Sequence, residues 1–533
     1  MRNGKRIKFA KRPVFLFSAL CVFFCAVIGR TAYIGGKSSY PAGAVKESVR
    51  RVTLGESRGK IYDINTVPFF PCAEERVSVG LNSVNGSGGF AVIEGGGKES
   101  SDGVYSETVT VYNQIGINPS CRHIIGYLDS SGHGVCGIEK AFDRILSDAS
   151  GSLSAEYTVN ALGQAIPGAG VKIIDDNYMS PAGIVLTVDL RIQRIVEEAL
   201  AASDIECGAC VVLQPSTGEI RAAVSVPEYD ISSLASALND ENKPFLNRVL
   251  CAYPVGSVFK PFVAAAAAKD GADLNGEYNC TGSIKVGDVT YHCYNHRNHG
   301  KITLTGATEN SCNCYFIEKG LNTSPETLIG VCSDFGFGKS VRLFSGAESA
   351  SGNLPEYDAK TQKGKIANLS FGQGELLATP LQVAAAYGTL ANKGTYKEPY
   401  ILKYLIDNDG KKYAEYRSES VNTATSEEIC GTINEALYMN MKNGTGRSGS
   451  PSVCGSAGKT ATAQTGEFDG NGQERLCTWF AGFFPFEDPK YVAVVFNEKG
   501  STASVDCAPV FKEIAEKIML LPKKSVYGTH SSE

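Results

Sequence analysis

The stretch AYPVGSVFKPFVAAAAAKDG, residues 252–271, places a lysine three residues after a serine in an otherwise apolar segment. Residues three apart share a face of a helix, so Ser257 and Lys260 are predicted to be neighbours. Burial of an amine favours its neutral form, which is a base. Ser257 and Lys260 are therefore a candidate nucleophile and base. The same spacing recurs twice elsewhere in the chain, so it does not decide the function alone.

Two further polar motifs follow in the second half of the chain. TENSCNCYF places Ser311 and Asn313 two residues apart, which lets both face one cleft or lets them cap a helix. GSAGKTATAQTG places Lys459, Thr460 and Thr462 in a run of small residues that is predicted to be a strand. An exposed strand edge pairs with an extended peptide, and a lysine with nearby hydroxyls binds a carboxylate.

Ser-x-x-Lys, Ser-x-Asn and Lys-Thr-small, in this order, are the motif set of penicillin-binding proteins and β-lactamases. The sequence resembles the class B penicillin-binding proteins, the bitopic D,D-transpeptidases of cell-wall synthesis, over nearly the whole chain. Further segments that carry the resemblance are RGKIYDINT, HIIGYLDSSGHGVCGIEKAFDRIL, LTVDLRIQ, LQPSTGEIRAAVSVPEYD, SFGQGELLATPLQVAAAYGTLANKG and TWFAGFFP.

The resemblance implies roles for the polar residues. Ser257 attacks the penultimate D-Ala carbonyl of a stem peptide, and Lys260 takes its proton. Ser311 relays a proton to the leaving group, Asn313 holds the substrate amide, and Lys459 supports the relay electrostatically. An amine from a neighbouring stem peptide then resolves the acyl-enzyme into a cross-link. No metal or organic cofactor is implied.

The third motif departs from the family pattern. The resemblance implies that Thr460 and Thr462 bind the terminal carboxylate, and that the backbone N–H groups of Ser257 and Thr462 form the oxyanion hole. The third residue of the motif is usually glycine, but here it is Ala461. A methyl group therefore enters where a substrate backbone must approach closely, which is expected to limit bulky β-lactams more than transpeptidation.

The first residues predict a membrane anchor. Residues 1–12 carry six basic side chains and no acidic one, and the 17-residue apolar run Pro13 to Gly29 follows. We expect residues 1–12 to be a cytoplasmic tail, residues 13–34 to be a single transmembrane helix, and the remainder to be extracytoplasmic. A cleaved signal peptide is the alternative, but the run has no convincing small-x-small cleavage site.

The remainder is predicted to form two domains and a tail. Residues 35–178 mix short strands with Gly/Ser-rich loops, and the resemblance implies that they form a non-catalytic pedestal. Residues 179–522 are denser in apolar periodicity. The resemblance implies that they form an α+β transpeptidase domain, with an antiparallel sheet flanked by helices and a helical lobe. Residues 523–533 are a polar tail.

The sequence thus predicts a peptidoglycan D,D-transpeptidase that acts on D-Ala-D-Ala stem peptides and binds β-lactams. The resemblance implies a separate glycosyltransferase partner of the shape, elongation, division and sporulation family. The acidic excess beyond the anchor, 44 basic against 56 acidic residues, argues against nucleic acid. The alternatives are a D,D-carboxypeptidase or β-lactamase-like hydrolase on the same fold, and a non-catalytic division or sporulation scaffold.

The chain has 17 cysteines, of which 15 lie beyond the apolar run. Most are expected to be small buried hydrophobic residues. Cys280, Cys293, His296 and His299 form a string with the spacing of a zinc site, although a Cys280–Cys293 disulfide that clamps a hairpin is equally consistent with an exported domain. Structural cysteines, reduced or paired, are the preferred interpretation, and no metal site is predicted.

Overall fold

The computed structural model describes residues 11–36, 49–82, 89–94, 106–114, 119–159, 166, 170–356, 362–419, 421–468, 470 and 472–522. The N-terminal 1–10 of the predicted cytoplasmic tail and the predicted tail 523–533 lie outside these residues. The chain divides into two compact units. The first consists of residues 1–57, 72–113 and 150–179, and the second of residues 58–71, 114–149 and 180–533.

The helices, in chain order, are α1 (Lys11–Gly36), α2 (Arg122–Ile125), α3 (Gly137–Ala141), α4 (Asp143–Asp148), α5 (Leu190–Ala201), α6 (Leu234–Ala237), α7 (Lys260–Lys269), α8 (Leu304–Glu309), α9 (Asn313–Leu321), α10 (Pro325–Asp334), α11 (Lys363–Ser370), α12 (Pro380–Ala391), α13 (Glu427–Asn443), α14 (Ala503–Asp506) and α15 (Ala508–Met519). The strands are β1 (Val49–Ser57), β2 (Lys60–Tyr62), β3 (Cys72–Asn82), β4 (Gly89–Glu94), β5 (Ser106–Gln114), β6 (Gly151–Thr158), β7 (Val171–Asp176), β8 (Gly183–Leu186), β9 (Gly208–Gln214), β10 (Glu219–Val226), β11 (Tyr253–Pro254), β12 (Tyr278–Cys280), β13 (Ser283–Val286), β14 (Val289–His292), β15 (Gly300–Ile302), β16 (Arg342–Phe344), β17 (Ala347–Glu348), β18 (Leu377–Ala378), β19 (Thr395–Lys397), β20 (Leu402–Ile406), β21 (Lys412–Glu415), β22 (Val421–Thr423), β23 (Ala457–Phe468), β24 (Glu474–Phe484) and β25 (Tyr491–Gly500).

The first unit contains α1 and two small sheets. Within α1, the 19 residues Phe15–Tyr33 are long and apolar enough to cross a membrane, by length and composition. The sheets have the strand orders β1-β6-β7 and β4-β3-β5. A small core packs between their strands, and its buried members are Val77, Val111, Leu153 and Tyr178.

The second unit is built around an antiparallel sheet with the order β10-β9-β25-β24-β23. Alternate residues of β9 enter different cores: Val211 packs in a cluster with Phe262 of α7, and Val212 packs in a cluster with Phe511 of α15. Because helices cover both faces, the first six residues of β9, GACVVL, are buried and apolar rather than alternating. The consecutive strands β9 and β10 pair antiparallel, as do β24 and β25.

Helices α7 to α11 form a helical lobe, so the predicted α+β arrangement of an antiparallel sheet flanked by helices is present. Helix α7 lies deep in this lobe, since every residue from Lys260 to Ala267 is buried. Two segments that the sequence analysis assigned to the pedestal, residues 58–71 and 114–149, belong to the second unit. Residues 58–71 belong to the second unit because their strand β2 pairs in parallel with β8 of that unit.

Candidate active site

Ser257 lies in the short 3-10 turn Gly256–Phe259, directly before α7. Gly256 has φ +66°, and its N–H donates to the carbonyl of Gly372 at 2.8 Å. A Cβ atom at Gly256 would come within 3.2 Å of the Cβ atoms of Ala461 and Ala463. Glycine therefore lets this turn lie directly against β23, with the half-buried Ser257 beside the strand.

Lys260 is the first residue of α7 and is fully buried. Its Nζ donates to the carbonyl oxygen of Ser311 at 2.7 Å, to Ser311 Oγ at 3.2 Å and to Asn313 Oδ1 at 2.7 Å. Burial lowers the pKa of this amine to about 8. The Ser311 hydroxyl also lies 3.1 Å from Ser257 Oγ, so the lysine reaches the candidate nucleophile through Ser311.

Ser311 and Asn313 flank the turn between α8 and α9. Ser311 has φ +51°, and Cys312, rather than either polar neighbour, is the N-cap of α9, since its Sγ accepts from the backbone N–H of Tyr315. Asn313 is fixed at both ends of its amide, because Nδ2 donates to the carbonyl of His292 at 2.9 Å while Oδ1 binds Lys260. The helix-cap interpretation of Ser311 and Asn313 is therefore wrong.

Strand β23 carries the third motif at the edge of the five-stranded sheet. The residues from Ala457 to Ala461 are all buried, including Lys459 and Thr460, which is 7% exposed, whereas Thr462 is exposed. The methyl group of Ala461 faces Gly256 rather than solvent. Burial, with the charge of nearby Lys260, holds the pKa of Lys459 well below its usual range.

Sequence reasoning missed two residues that fix Lys459. Its Nζ donates to Thr445 Oγ1 at 3.3 Å and to the carbonyl of Thr460 at 3.1 Å. Thr445 in turn donates to Oδ1 of Asn440, a fully buried residue of α13, at 3.2 Å. Asn440 Nδ2 donates to the carbonyl of Gly458 at 2.7 Å. The signal in the sequence is a polar Asn at a core position of an amphipathic helix.

The structure brings together only three of the four residues of the candidate zinc motif. His296 is exposed, and its Nδ1 lies 2.9 Å from Nδ1 of His292. Cys280, Cys293 and His299 instead converge with Cys312. Cys280 and Cys293 are free thiols, so the disulfide alternative is absent among the described residues.

Residues 208–516 match the family described as penicillin binding protein transpeptidase domain. The chain belongs to this family. This penicillin-binding protein is 29% identical over 395 residues to stage V sporulation protein D of Bacillus subtilis, covering 71% of this chain and 59% of the relative. It is 28% identical over 437 residues to the peptidoglycan D,D-transpeptidase MrdA of Haemophilus influenzae. This match covers 73% of this chain and 63% of the relative.

The resemblance to class B penicillin-binding proteins is thus confirmed. The crystal structure of Pseudomonas aeruginosa PBP2 in complex with WCK 5153 has a TM-score of 0.64 and 26% identity, and covers 89% of this chain and 97% of that one. The chain spans about three fifths of the length of the two curated relatives above.

Proposed function

We propose that this penicillin-binding protein is a serine-type peptidoglycan D,D-transpeptidase. The observation that carries the proposal is the hydrogen-bonded chain from Ser257 Oγ through Ser311 Oγ to Lys260 Nζ. Buried amines with lowered pKa values are suited to act as general bases near neutral pH. The names of the relatives, which include peptidoglycan D,D-transpeptidases, agree with this chemistry.

The valence of each group sets the direction of proton transfer. A neutral amine has two hydrogens and one lone pair, and the Ser311 carbonyl and Asn313 Oδ1 accept but do not donate. Neutral Lys260 therefore donates to these two oxygens and accepts from the Ser311 hydroxyl. Ser311 then accepts from Ser257, so that the nucleophile loses its proton through Ser311 to Lys260.

Acylation follows from this arrangement. Ser257 Oγ bonds to the carbonyl carbon of the penultimate D-Ala, while the bond to the terminal D-Ala nitrogen breaks. The proton held by Lys260 returns through Ser311 to that nitrogen, which leaves as free D-Ala. An amine of a second stem peptide then attacks the ester carbonyl, loses a proton by the same path and releases Ser257.

The edge of β23 is the proposed binding site for the donor peptide. An extended stem peptide adds to an unpaired strand edge through backbone hydrogen bonds. Thr460 and Thr462 bind its terminal carboxylate, with the amine of Lys459 nearby, and the N–H groups of Ser257 and Thr462 stabilise the oxyanion. β-Lactams bind in the same place and acylate Ser257.

The proposal includes a place in the cell. The span Phe15–Tyr33 is the membrane anchor, and the basic residues before it hold the N-terminus in the cytoplasm. The catalytic domain is then extracytoplasmic, where peptidoglycan is cross-linked. A membrane glycosyltransferase of the shape, elongation, division and sporulation family supplies the glycan strands.

The test is acylation of the full-length chain in detergent by a fluorescent penicillin, measured by gel and intact mass, with Ser257→Ala as control. We expect one adduct per chain, absent in the variant. An adduct that persists in the variant would contradict the assignment of Ser257. Incubation with stem peptides then separates cross-linked dimer, the expected product, from free D-Ala without cross-link, which would indicate a carboxypeptidase. No reaction with either reagent would support the scaffold alternative.

A further inference from the structure

Four metal-ligating side chains converge next to the catalytic turn. The Sγ atoms of Cys280, Cys293 and Cys312 and a ring nitrogen of His299 all lie within 4.8 Å of one another. They come from four places in the chain: the end of β12, the residue after β14, the residue before β15, and the N-cap of α9. The three thiols are buried and His299 is half-buried.

The spacing of these atoms is that of ligands around one tetrahedral ion. The Sγ of Cys280 lies 3.7 Å from that of Cys293 and 3.4 Å from that of Cys312. The Sγ atoms of Cys293 and Cys312 are 3.6 Å apart, and His299 Nδ1 lies 3.3 Å from Cys280 Sγ. Sulfur ligands at about 2.3 Å from a tetrahedral zinc are separated by about 3.8 Å.

Backbone amides point at the sulfur atoms from outside the cluster. The N–H of Gly282 donates to Cys280 Sγ at 3.4 Å, and the N–H of Tyr315 donates to Cys312 Sγ at 3.4 Å. Such bonds stabilise the charge of metal-bound thiolates and orient the ligands.

We propose that Cys280, Cys293, His299 and Cys312 bind one zinc ion, which holds the Ser311–Asn313 turn in place. A set of three thiolates and one imidazole in tetrahedral geometry favours zinc over hard cations. Cys314 lies 3.5 Å from Cys293 but is not one of the four, and His296, part of the string in the sequence, is replaced by Cys312.

The zinc acts on the active site through Cys312. This residue lies between Ser311 and Asn313, both of which bind Lys260. The left-handed backbone of Ser311 is strained for a residue with a side chain and needs support from its surroundings. A bond from Cys312 to zinc supplies that support. This coupling rests on the proposed function, whereas the binding of zinc does not.

The first experiment measures metal content. The full-length chain is purified in detergent without chelator, and its zinc is quantified by mass spectrometry. We expect one zinc per chain, lost in Cys293→Ser and retained in Cys332→Ser, a matched variant of an equally buried thiol in α10. A folded wild-type chain without zinc, a Cys280–Cys293 disulfide in it, or full zinc in Cys293→Ser would each overturn the proposal.

The second experiment does not depend on a variant that folds. Zinc is removed from the wild-type chain with a chelator and then restored, while circular dichroism monitors the fold. We expect the rate of acylation by fluorescent penicillin to fall about a hundredfold and to recover, since small misplacements at a site have effects of this size. An unchanged rate in the folded, zinc-free chain would overturn the positioning role. A zinc-loaded chain that is never acylated would instead contradict the proposed function.

Discussion

The active site has a half carried by helices and a half carried by a strand, and each contains one buried lysine. Lys260, at the start of α7, binds three oxygens of Ser311 and Asn313. Lys459, on β23, binds the Thr445 hydroxyl and the carbonyl of Thr460. Burial lowers the pKa of both, but only Lys260 is hydrogen-bonded to a group that can pass it a proton from the nucleophile.

The comparison shows that one residue type has two uses in the same cleft. The helical half is a polar network in which Lys260, the proposed base, is linked through Ser311 to Ser257, the proposed nucleophile. The strand half fixes the buried amine of Lys459 beside a free strand edge and depends on Asn440 and Thr445, which belong to none of the three motifs. We therefore expect changes in the helical half to abolish chemistry and changes in the strand half to weaken it.

The largest effect is expected from Lys260→Met, which keeps the length of the side chain and removes the amine. Loss of a positioned base lowers rates by about 10²–10⁴-fold. We expect acylation by fluorescent penicillin, measured in single-turnover experiments, to fall about a thousandfold. Lys269→Met, at the exposed end of the same helix, is the matched control and should leave the rate unchanged. A near-normal acylation rate in Lys260→Met would contradict the assignment of Lys260, rather than Lys459, as the base.

The pH dependence of acylation tests the same base. Below a pKa of about 8 the amine of Lys260 is protonated and does not accept a proton, so the rate should rise with pH and level off above it. From pH 6 to pH 9 the neutral fraction, and with it the rate, should increase by about two orders of magnitude. A rate that falls over this range would contradict a lysine base.

A smaller effect is expected from Asn440→Ala in the strand half. The change removes the bonds to the Gly458 carbonyl and to Thr445, and so loosens β23 and Lys459. We expect acylation to slow about tenfold, and the free energy of unfolding to decrease by about 1–3 kcal/mol because a buried carbonyl loses its donor. Asn434→Ala, in the same helix, removes a bond to the Leu390 carbonyl. This control should lower stability, seen in thermal melting, without slowing acylation.

The smallest effect is expected from Ala461→Gly. The methyl group lies against Gly256, so its removal changes packing more than the open strand edge. We expect a stability loss of about 0.5–1 kcal/mol and acylation rates within about threefold of wild type. Rates for a small penicillin and a bulky cephalosporin would be compared. A large gain for the bulky drug alone would show that the methyl restricts ligands, as the sequence pattern predicts.

Much of the site was predictable because local spacing determines it. Ser257 and Lys260 lie one turn apart where α7 begins, and the small residues around Lys459 form the predicted strand β23. Thr445 and Cys312 were not predictable, because each meets its partners only after separate segments fold together. His296 was wrongly grouped with the cysteines, since its backbone has φ +54° and its side chain lies with His292.

The domain boundary shows a similar limit. Segments 58–71 and 114–149 are close in sequence to the strands of the first unit, yet they belong to the second. The short strands and loops of these segments do not show with which strand β2 pairs. Its partner β8 lies more than a hundred residues away in the sequence. Composition distinguishes regions of the chain that differ in character. Strand pairing between distant segments, however, decides to which unit a segment belongs.

The open edge of β23 also carries a risk of self-association. A strand edge that accepts a peptide equally accepts the edge of another partly folded chain, which is a route to aggregation. The pairing of β23 with β24 is irregular between Gln464 and Phe468. Such a bulge bends the strand and shortens the regular template that a second copy would need. We therefore expect the irregularity to reduce aggregation, while it leaves the regular edge near Thr462, the proposed substrate site, unchanged.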